Sequence, residues 1–232
     1  MKIVIINGSP RKNGATAKLL THIEIQLKEI PSTHVDVVHL TEQNIMFCTG
    51  CSSCFRTGKC HLDDDGERIS TLIGSADGIV IGTPTYASNI SGLLKNFIDR
   101  GHFVMEQLLI GKKAFHVVTY ENAGAAAALK ILNNLSVYSG ASVSSQLTIK
   151  TPFGKNPLDN MTLSHRVQKQ TNSFIHALQH DKKRVKDRFL HSIVFHVGIK
   201  PYVLKRADHY QGVIQHWPDH LSGLSIKSAV KD

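Results

Sequence analysis

The stretch KIVIINGSPRKNGATAKLL, residues 2–20, contains a buried strand, a turn and the start of a helix. KIVIIN is apolar, rich in β-branched residues and too short to be a helix of its own, which indicates a strand covered on both faces. GSPRKNG then forms a turn, after which Leu20, Ile23 and Leu27 fall on one helical face. A strand that leads through a turn into an amphipathic helix is half of a βαβ unit, so this stretch predicts a parallel sheet.

The same alternation continues along the chain. Four more apolar segments are predicted as strands, over residues 34–40, 77–84, 112–120 and 141–149. Helical patterns follow these strands, over residues 65–76, 91–100, 123–140 and 164–180. Five strands in this rhythm predict a doubly wound α/β fold with strand order 2-1-3-4-5. Right-handed crossovers then place the loops after strands 1, 3 and 4 at the carboxyl edge of the sheet.

Composition and charge divide the chain into two parts. Of the 232 residues 41% are apolar, which is typical of a globular protein with a core. The net charge of +9 is concentrated late, since residues 1–149 carry 13 Lys/Arg against 12 Asp/Glu and residues 150–232 carry 14 against 6. We therefore predict a domain over residues 1–180, with a cysteine loop at 46–62 inserted after strand 2, and a basic helical extension over residues 181–232.

The extension begins with a cationic cluster formed by Lys182, Lys183, Arg184, Lys186 and Arg188. The apolar stripe that follows favours helices packed on the core or on a second subunit. The basicity leaves open attraction to an acidic partner or to an anionic membrane surface. Nucleic acid is not expected as a partner, because no binding motif accompanies the charge.

The N-terminal sequence MKIVIINGSP has one charge, a short apolar run and no cleavage-type site, so no secretory signal is predicted. No apolar run approaches the roughly 18 residues of a membrane span. We therefore expect the protein in the cytoplasm. In that reducing compartment, clustered cysteines are more often metal ligands or redox groups than structural disulfides.

Two loops at the expected carboxyl edge have the character of ligand-binding loops. NGSPRKNGAT, residues 7–16, offers the hydroxyls of Ser9 and Thr16, cations and a helix N-terminus, which favour an anion such as phosphate. It matches neither the P-loop nor G-x-G-x-x-G, and the alternative is an ordinary polar turn. In the loop after strand 3, Tyr86 is either a wall for a planar heterocycle or a surface turn residue.

These two loops, extended as INGSPRKNGATAKLL and GTPTYASNISGLLKNFIDR, resemble the NADPH-dependent FMN reductase branch of the flavodoxin-like superfamily. The segment CTGCSSCFRTGKCHLDDDGERI resembles the cysteine loop of iron–sulfur flavoproteins within the same group. The resemblance covers residues 1–150 and implies a flavodoxin-like fold that binds FMN. The resemblance implies that the phosphate and ribityl chain contact Ser9, Arg11, Asn13, Thr16 and Ala17. It implies that the isoalloxazine is lined by Pro84, Thr85, Tyr86 and Asn89. Tyr120, Asn122 and Gly124 of the third loop would lie beside it.

All four cysteines of the chain lie in this loop, as Cys48, Cys51, Cys54 and Cys60 with the spacing C-x2-C-x2-C-x5-C. Zinc sites favour two separated pairs of ligands, and disulfides would be strained at such short spacings. A [4Fe–4S] cluster takes four thiolates, and C-x2-C-x2-C is a known way to supply three. The cluster is the favoured interpretation, with zinc and free or redox-active thiols as alternatives.

The loop and the segment after it also carry charged residues. Arg56 and Lys59 are expected to offset the negative charge of a cluster, and the acidic run 63–65 is expected to be a solvated face or a helix cap.

The sequence therefore predicts an oxidoreductase in which FMN exchanges electrons with the cluster, and it names no acid–base catalyst. NAD(P)H is one expected electron donor, a ferredoxin or another redox protein is an expected partner, and a small molecule is the acceptor. One alternative is a cluster-free NAD(P)H-dependent reductase of free flavin, quinones, azo or nitro compounds. Another is a non-catalytic flavodoxin-type carrier or redox-responsive binding protein. A homodimer or homotetramer is expected, because an FMN at a sheet edge commonly gains a wall from another subunit.

Overall fold

The computed structural model describes residues 1–180 and 184–222. Lys182 and Lys183 of the cationic cluster lie outside the described residues. The predicted domain boundary, between residues 180 and 181, falls at the edge of the described range 1–180. A five-stranded parallel sheet has the order β2-β1-β3-β4-β5, which confirms the predicted topology. Its strands are β1 Lys2–Asn7, β2 His34–His39, β3 Gly78–Pro84, β4 Lys113–Tyr120 and β5 Ser142–Lys150.

Helices flank the sheet where the sequence predicts them, and further helices follow. They are α1 Ala15–Lys28, α2 Ser53–Thr57, α3 Asp65–Gly74, α4 Gly92–Arg100, α5 Ala125–Tyr138, α6 Met161–Gln179, α7 Val185–Ile193, α8 Lys200–Leu204, α9 Ala207–His216 and α10 Asp219–Ser222. A π-helical segment, Val194–Ile199, joins α7 to α8. The short helix α2 inside the cysteine loop was not predicted. Within the described ranges, no helix combines the length and apolar content needed to cross a membrane.

The core consists of two apolar layers, one on each face of the sheet. In β1, Ile3 and Ile5 face a layer completed by α1 and α6, and Val4 and Ile6 face a layer completed by α3, α4 and α5. All four side chains are at most 1% exposed. The unbroken apolar run of β1 follows from this burial on both faces.

The loops after β1, β3 and β4 meet at the carboxyl edge, as predicted. Gly8 N–H donates to Gly82 O at 2.8 Å, and the Ser91 hydroxyl donates to Gly8 O at 2.5 Å. The hydroxyls of Thr16 and Thr119 lie 2.7 Å apart and join α1 to the end of β4. These bonds fix the loops relative to one another.

The C-terminal helices pack on the core and on the cysteine loop, which confirms the packing interpretation. Trp217 is 4% exposed, and its indole N–H donates to Met105 O at 2.7 Å. Tyr210 of α9 stacks on Phe55 of α2, with ring centroids 5.3 Å apart. Gly212 of α9 lies against the backbone of α2 so closely that an added Cβ would be 2.6 Å from Cys54 O. The extension therefore forms an outer wall of the cysteine loop.

We predict that Gly212→Ala loosens α9 from α2, because its Cβ would also lie 2.0 Å from Gly58 N. Overpacking of this kind costs about 1–3 kcal/mol, to be measured by urea denaturation. Gly198→Ala is the matched control, since a Cβ there meets nothing within 4 Å. Equal free energies of unfolding for the two variants would contradict the close packing of α9 on α2.

Candidate functional site

The first candidate site is built on the loop between β1 and α1. The Ser9 hydroxyl accepts from Arg11 N–H and donates to Arg11 O, both at 3.2 Å, and Ser9 N–H donates to Asn7 Oδ1 at 3.0 Å. Helix α1 then begins after Gly14, and no side chain of the described residues caps it. The N–H groups of an uncapped first turn lack helical partners and attract anions. The loop can therefore hold a phosphate, as the sequence predicts.

A cavity of about 640 Å³ opens beside this loop at the carboxyl edge. Nine of the twelve residues implied by the resemblance line it: Ser9, Arg11, Asn13, Thr16, Pro84, Thr85, Tyr86, Tyr120 and Asn122. The fold thus brings residues from three separate loops to a single cavity.

Ala17, Asn89 and Gly124 do not line this cavity. Ala17 is buried within α1 at 3% exposure. Asn89 exchanges two backbone hydrogen bonds with Tyr86, at 3.0 and 2.9 Å, and so closes the turn that presents the tyrosine. Gly124 has a φ of +88° and starts α5, where a Cβ would lie 2.6 Å from Ser88 Cα. Asn89 and Gly124 therefore shape the loops that form the cavity.

A fourth loop, after β5, also lines the cavity and was missed from the sequence. It contributes Thr151, Pro152, Phe153, Gly154 and Lys155. The guanidinium of Arg11 lies over the Phe153 ring at 4.5 Å, and Phe153 N–H donates to Glu121 Oε1 at 3.3 Å. The rule that gathered the other loops at the carboxyl edge applies equally to the Gly/Pro-rich TPFGKNP that follows β5.

Two residues that line this cavity, Thr85 and Thr151, have buried hydroxyls with no hydrogen-bond partner among the described residues. Buried polar groups are nearly always paired, so these hydroxyls indicate a polar ligand that completes them. Tyr86, at 43% exposure, leaves ring surface for a planar group. An anion loop, unpaired hydroxyls and an aromatic wall together fit a flavin mononucleotide.

The second candidate site is a cavity of about 290 Å³ that is lined by all four cysteines. Its other walls are largely apolar and include Phe55, Ile98, Phe103, Val104 and Leu135. Helix α2 ends at Gly58, whose φ of +77° permits the turn that brings Cys60 back, as predicted. Each cysteine is a free thiol in the described structure.

A buried ion pair stands beside this cavity. Arg100 Nη1 lies 2.6 Å from Asp64 Oδ2, and the two side chains are 1% and 0% exposed. Arg100 Nη2 donates to Asp64 Oδ1 at 3.0 Å and to Cys60 Sγ at 3.3 Å. Burial disfavours both charges, but their mutual hydrogen bonds outweigh it, so the pKa of Asp64 is lowered and the pKa of Arg100 is raised. Asp64 also caps α3 by accepting from Gly66 N–H at 2.9 Å. The expected helix cap is confirmed, and the expected solvated face is wrong for this residue.

A second cation faces the cysteines. His102 Nδ1 lies 2.9 Å from Glu106 Oε1, in a pair whose side chains are 9% and 8% exposed. Burial disfavours the imidazolium, yet Cys54 and Glu106 outweigh that effect and raise the pKa of His102 to about 10. The Ser53 backbone N–H lowers the pKa of Cys51, and the nearby positive charge of Arg56 lowers it further.

The donor set was compared with the needs of an iron–sulfur cluster. Four thiols share a cavity, and cations contact two of their sulfurs, which is what four thiolates on a cluster would require. Across residues 1–180 and 184–222, no three Cys, His, Asp or Glu side chains are grouped closely enough to hold a metal ion. The cysteines thus match the number and type of ligands that a cluster takes, but the described structure does not group their sulfurs as metal ligands.

Helix α4 connects the two candidate sites. Its N-cap Ser91, which accepts from Leu94 N–H at 3.1 Å, follows the Tyr86 turn and bonds to Gly8 of the anion loop. Its last residue, Arg100, contacts Cys60. Nine helical residues span about 13 Å, so the two sites lie at opposite ends of one short rigid element.

Comparison with known proteins gives a consistent result. A family model described as NADPH-dependent FMN reductase matches residues 1–153. An iron–sulfur flavoprotein of Clostridioides difficile (strain 630) is 37% identical over 222 residues, which cover 94% of this chain and 98% of the relative. An iron–sulfur flavoprotein of Archaeoglobus fulgidus is 35% identical over 130 residues, which cover 53% of this chain and 56% of the relative.

A solved structure shows the same fold. The apo form of an NADH:FMN oxidoreductase (EMOB) superimposes with a TM-score of 0.58 at 20% identity, covering 81% of this chain and 93% of that one. At this identity the likeness establishes the shared flavodoxin-like architecture alone.

We predict that Asp64→Asn strongly destabilises the protein, because it leaves the buried Arg100 charge unpaired. Breaking a buried pair costs about 3–5 kcal/mol, whereas an exposed pair contributes about 0–1 kcal/mol. Asp99→Asn is the matched control, since Asp99 pairs with Lys95 at 2.5 Å on the exposed side of α4. The free energy of unfolding of both variants is measured by guanidinium denaturation. Equal losses of this free energy in the two variants would contradict the prediction.

Proposed function

This chain belongs to the NADPH-dependent FMN reductase family, and we propose that it is an FMN oxidoreductase whose flavin exchanges electrons with a [4Fe–4S] cluster. The cluster would be held by Cys48, Cys51, Cys54 and Cys60. The observation that carries this proposal is the cavity that all four cysteines share, with Arg100 and His102 against the sulfurs. Similarity over nearly the full length to a protein named an iron–sulfur flavoprotein supports it.

The chain would bind FMN through the four loops at the carboxyl edge. The first turn of α1 and Arg11 would hold the phosphate, by N–H donation and by charge. Thr85 and Thr151 would direct their unpaired hydroxyls to polar atoms of the flavin. Tyr86 would cover part of its ring.

When bound, FMN supplies both two-electron and one-electron chemistry, and the cluster supplies one-electron transfer. The contribution of the chain is placement. Apolar side chains line much of the cysteine cavity, the two buried ion pairs face it with cations, and α4 fixes the spacing between the sites. No side chain is proposed as a nucleophile or as an acid–base catalyst.

We further propose NAD(P)H or a ferredoxin-type protein as the electron donor and a small molecule as the acceptor. A second function, a cluster-free NAD(P)H-dependent reductase, is favoured by one observation: the described cysteines are not grouped as metal ligands. Iron content distinguishes the two functions.

Assembly into a homodimer or homotetramer is part of the proposal. Val185, Phe189, Ile193 and Val197 recur every fourth residue along α7 and the π-helical segment, and they are 44–80% exposed. An exposed apolar row of this kind is typical of a contact surface between proteins. Light scattering on the FMN-bound protein is expected to give at least twice the mass of 25.6 kDa, and a stable monomer would contradict the proposal.

Cofactor analysis tests the proposed function directly. Protein purified without oxygen is expected to contain about four iron, four acid-labile sulfide and one FMN per subunit, as one cubane cluster and one flavin require. Zinc is measured alongside. FMN without iron would support the cluster-free reductase, and zinc at one equivalent would make the cysteines a structural site.

The flavin site is tested by removing an unpaired hydroxyl. Thr85→Ala is expected to weaken FMN binding about fivefold, because one hydrogen bond contributes roughly 1 kcal/mol. Stability of the apoprotein should not fall, since the hydroxyl has no partner in the described structure. Thr33→Ala removes another unpaired buried hydroxyl, away from the cavity, and serves as the control in FMN fluorescence titrations. If the two variants bind FMN with equal affinity, Thr85 does not contribute a hydrogen bond to the flavin.

A further inference from the structure

Both terminal nitrogens of the Arg100 guanidinium are engaged beside the cysteine cavity, whereas its buried Nε has no hydrogen-bond partner among the described residues. Nη1 donates to Met46 O at 2.7 Å and to Asp64 Oδ2 at 2.6 Å, and Nη2 donates to Asp64 Oδ1 and to Cys60 Sγ. The side chain is 1% exposed, so water does not compete for these donors. Cys60, which is half-buried, is thereby contacted by a charged N–H donor that is itself shielded from water.

The orientation of this donor is fixed by its partners. Asp64 accepts from Met46 N–H at 2.8 Å and from Gly66 N–H at 2.9 Å, so its carboxylate cannot rotate. The bidentate carboxylate in turn fixes the plane of the guanidinium. Arg100 also closes α4, where a cation interacts favourably with the helix dipole. These contacts therefore fix the direction of Nη2, which points towards Cys60.

A hydrogen bond to a ligand sulfur affects the oxidised and reduced forms of a cluster unequally. Reduction adds negative charge that the sulfurs share, so an N–H···S bond and a nearby cation stabilise the reduced form more. The effect is larger in a buried site, where charges are weakly screened. Hydrogen bonds to the sulfurs are among the features that set cluster potentials.

We propose that Arg100 is a positioning residue of the cluster site: it holds Cys60 through an N–H···S bond and raises the reduction potential of the cluster that Cys60 binds. This inference rests on the proposed function, because it requires the cluster. It extends that function by assigning a role to a residue of α4, outside the cysteine loop. The same guanidinium, through Asp64, keeps the loop attached to the fold.

Arg100→Lys separates the role in potential from the role in folding. A lysine keeps the positive charge beside Asp64, but its single ammonium lacks the planar fork that reaches Met46, Asp64 and Cys60 together. We expect this variant to bind FMN like the wild type. The equilibrium constant for reduction of its cluster should be at least tenfold lower than in the wild type. For a one-electron couple, tenfold corresponds to about 59 mV towards more negative potentials.

Lys28→Gln is the control for a charge change on a helix away from the site. Lys28 pairs with Glu24 on α1, and neither residue lines the cysteine cavity. Its cluster potential, followed by an EPR-monitored redox titration, should equal that of the wild type. A fully loaded Arg100→Lys protein with the wild-type potential would overturn the proposal.

A measurement on the wild type keeps the test valid if Arg100→Lys loses its iron. Protein carrying ¹⁵N in its arginine guanidinium groups is reduced, and the cluster signal is examined by pulsed EPR. A ¹⁵N coupling in the wild type and in Arg56→Lys is the expected result, because Arg100 Nη2 bonds directly to a ligand sulfur, whereas Arg56, which also lies beside the cysteines, bonds to Cys51 O. Wild-type protein with four iron but no ¹⁵N coupling would refute the role of Arg100 alone, whereas wild-type protein without iron would refute the proposed function.

Discussion

A buried ion pair between Arg100 and Asp64 joins the end of helix α4 to the segment that directly follows the cysteine loop. Removing two charges from water is unfavourable unless every donor and acceptor finds a partner. Here the backbone of Met46, the N–H of Gly66 and the sulfur of Cys60 supply nearly all of them. Because Arg100 ends a helix that starts among the loops of the flavin cavity, this pair fixes one candidate site relative to the other. The arrangement gives a loop of low apolar content a defined place on the fold.

The sheet and the flavin cavity were largely predictable from the sequence, since both follow from local patterns. The apolar run of β1 and the regular alternation of elements determined the strand order, and the crossover rule gathered three loops. The same rule covers the β5 loop, so Phe153 and Thr151 could have been found by applying it once more. Ala17 follows the anion loop in sequence, but helix α1 turns its side chain into the core.

The partners of the cysteines were not predictable in this way. Arg100 and Asp64 are 36 positions apart, and nothing in either local sequence indicates that one neutralises the other. Asp64 has the sequence pattern of a helix cap, which it is, and its second role arises only from tertiary packing. The contact between Gly212 and Gly58 is of the same kind, because two glycines far apart in sequence reveal a close backbone approach only once the fold is known. The sequence predicts that the extension packs on the core or on a second subunit. Only the structure shows that it also packs on the cysteine loop.

In the proposed function, one iron–sulfur cluster, bound by the four cysteines with Arg100 against Cys60, lies at the far end of α4 from a bound FMN. A crystal structure of protein purified without oxygen, with diffraction data collected at the iron absorption edge, tests it most directly. We expect one compact iron peak within bonding distance of all four cysteine sulfurs, Arg100 Nη2 in contact with Cys60, and FMN among the four carboxyl-edge loops. An FMN-bound structure without iron, with the cysteines as free thiols or around a single zinc, would contradict it.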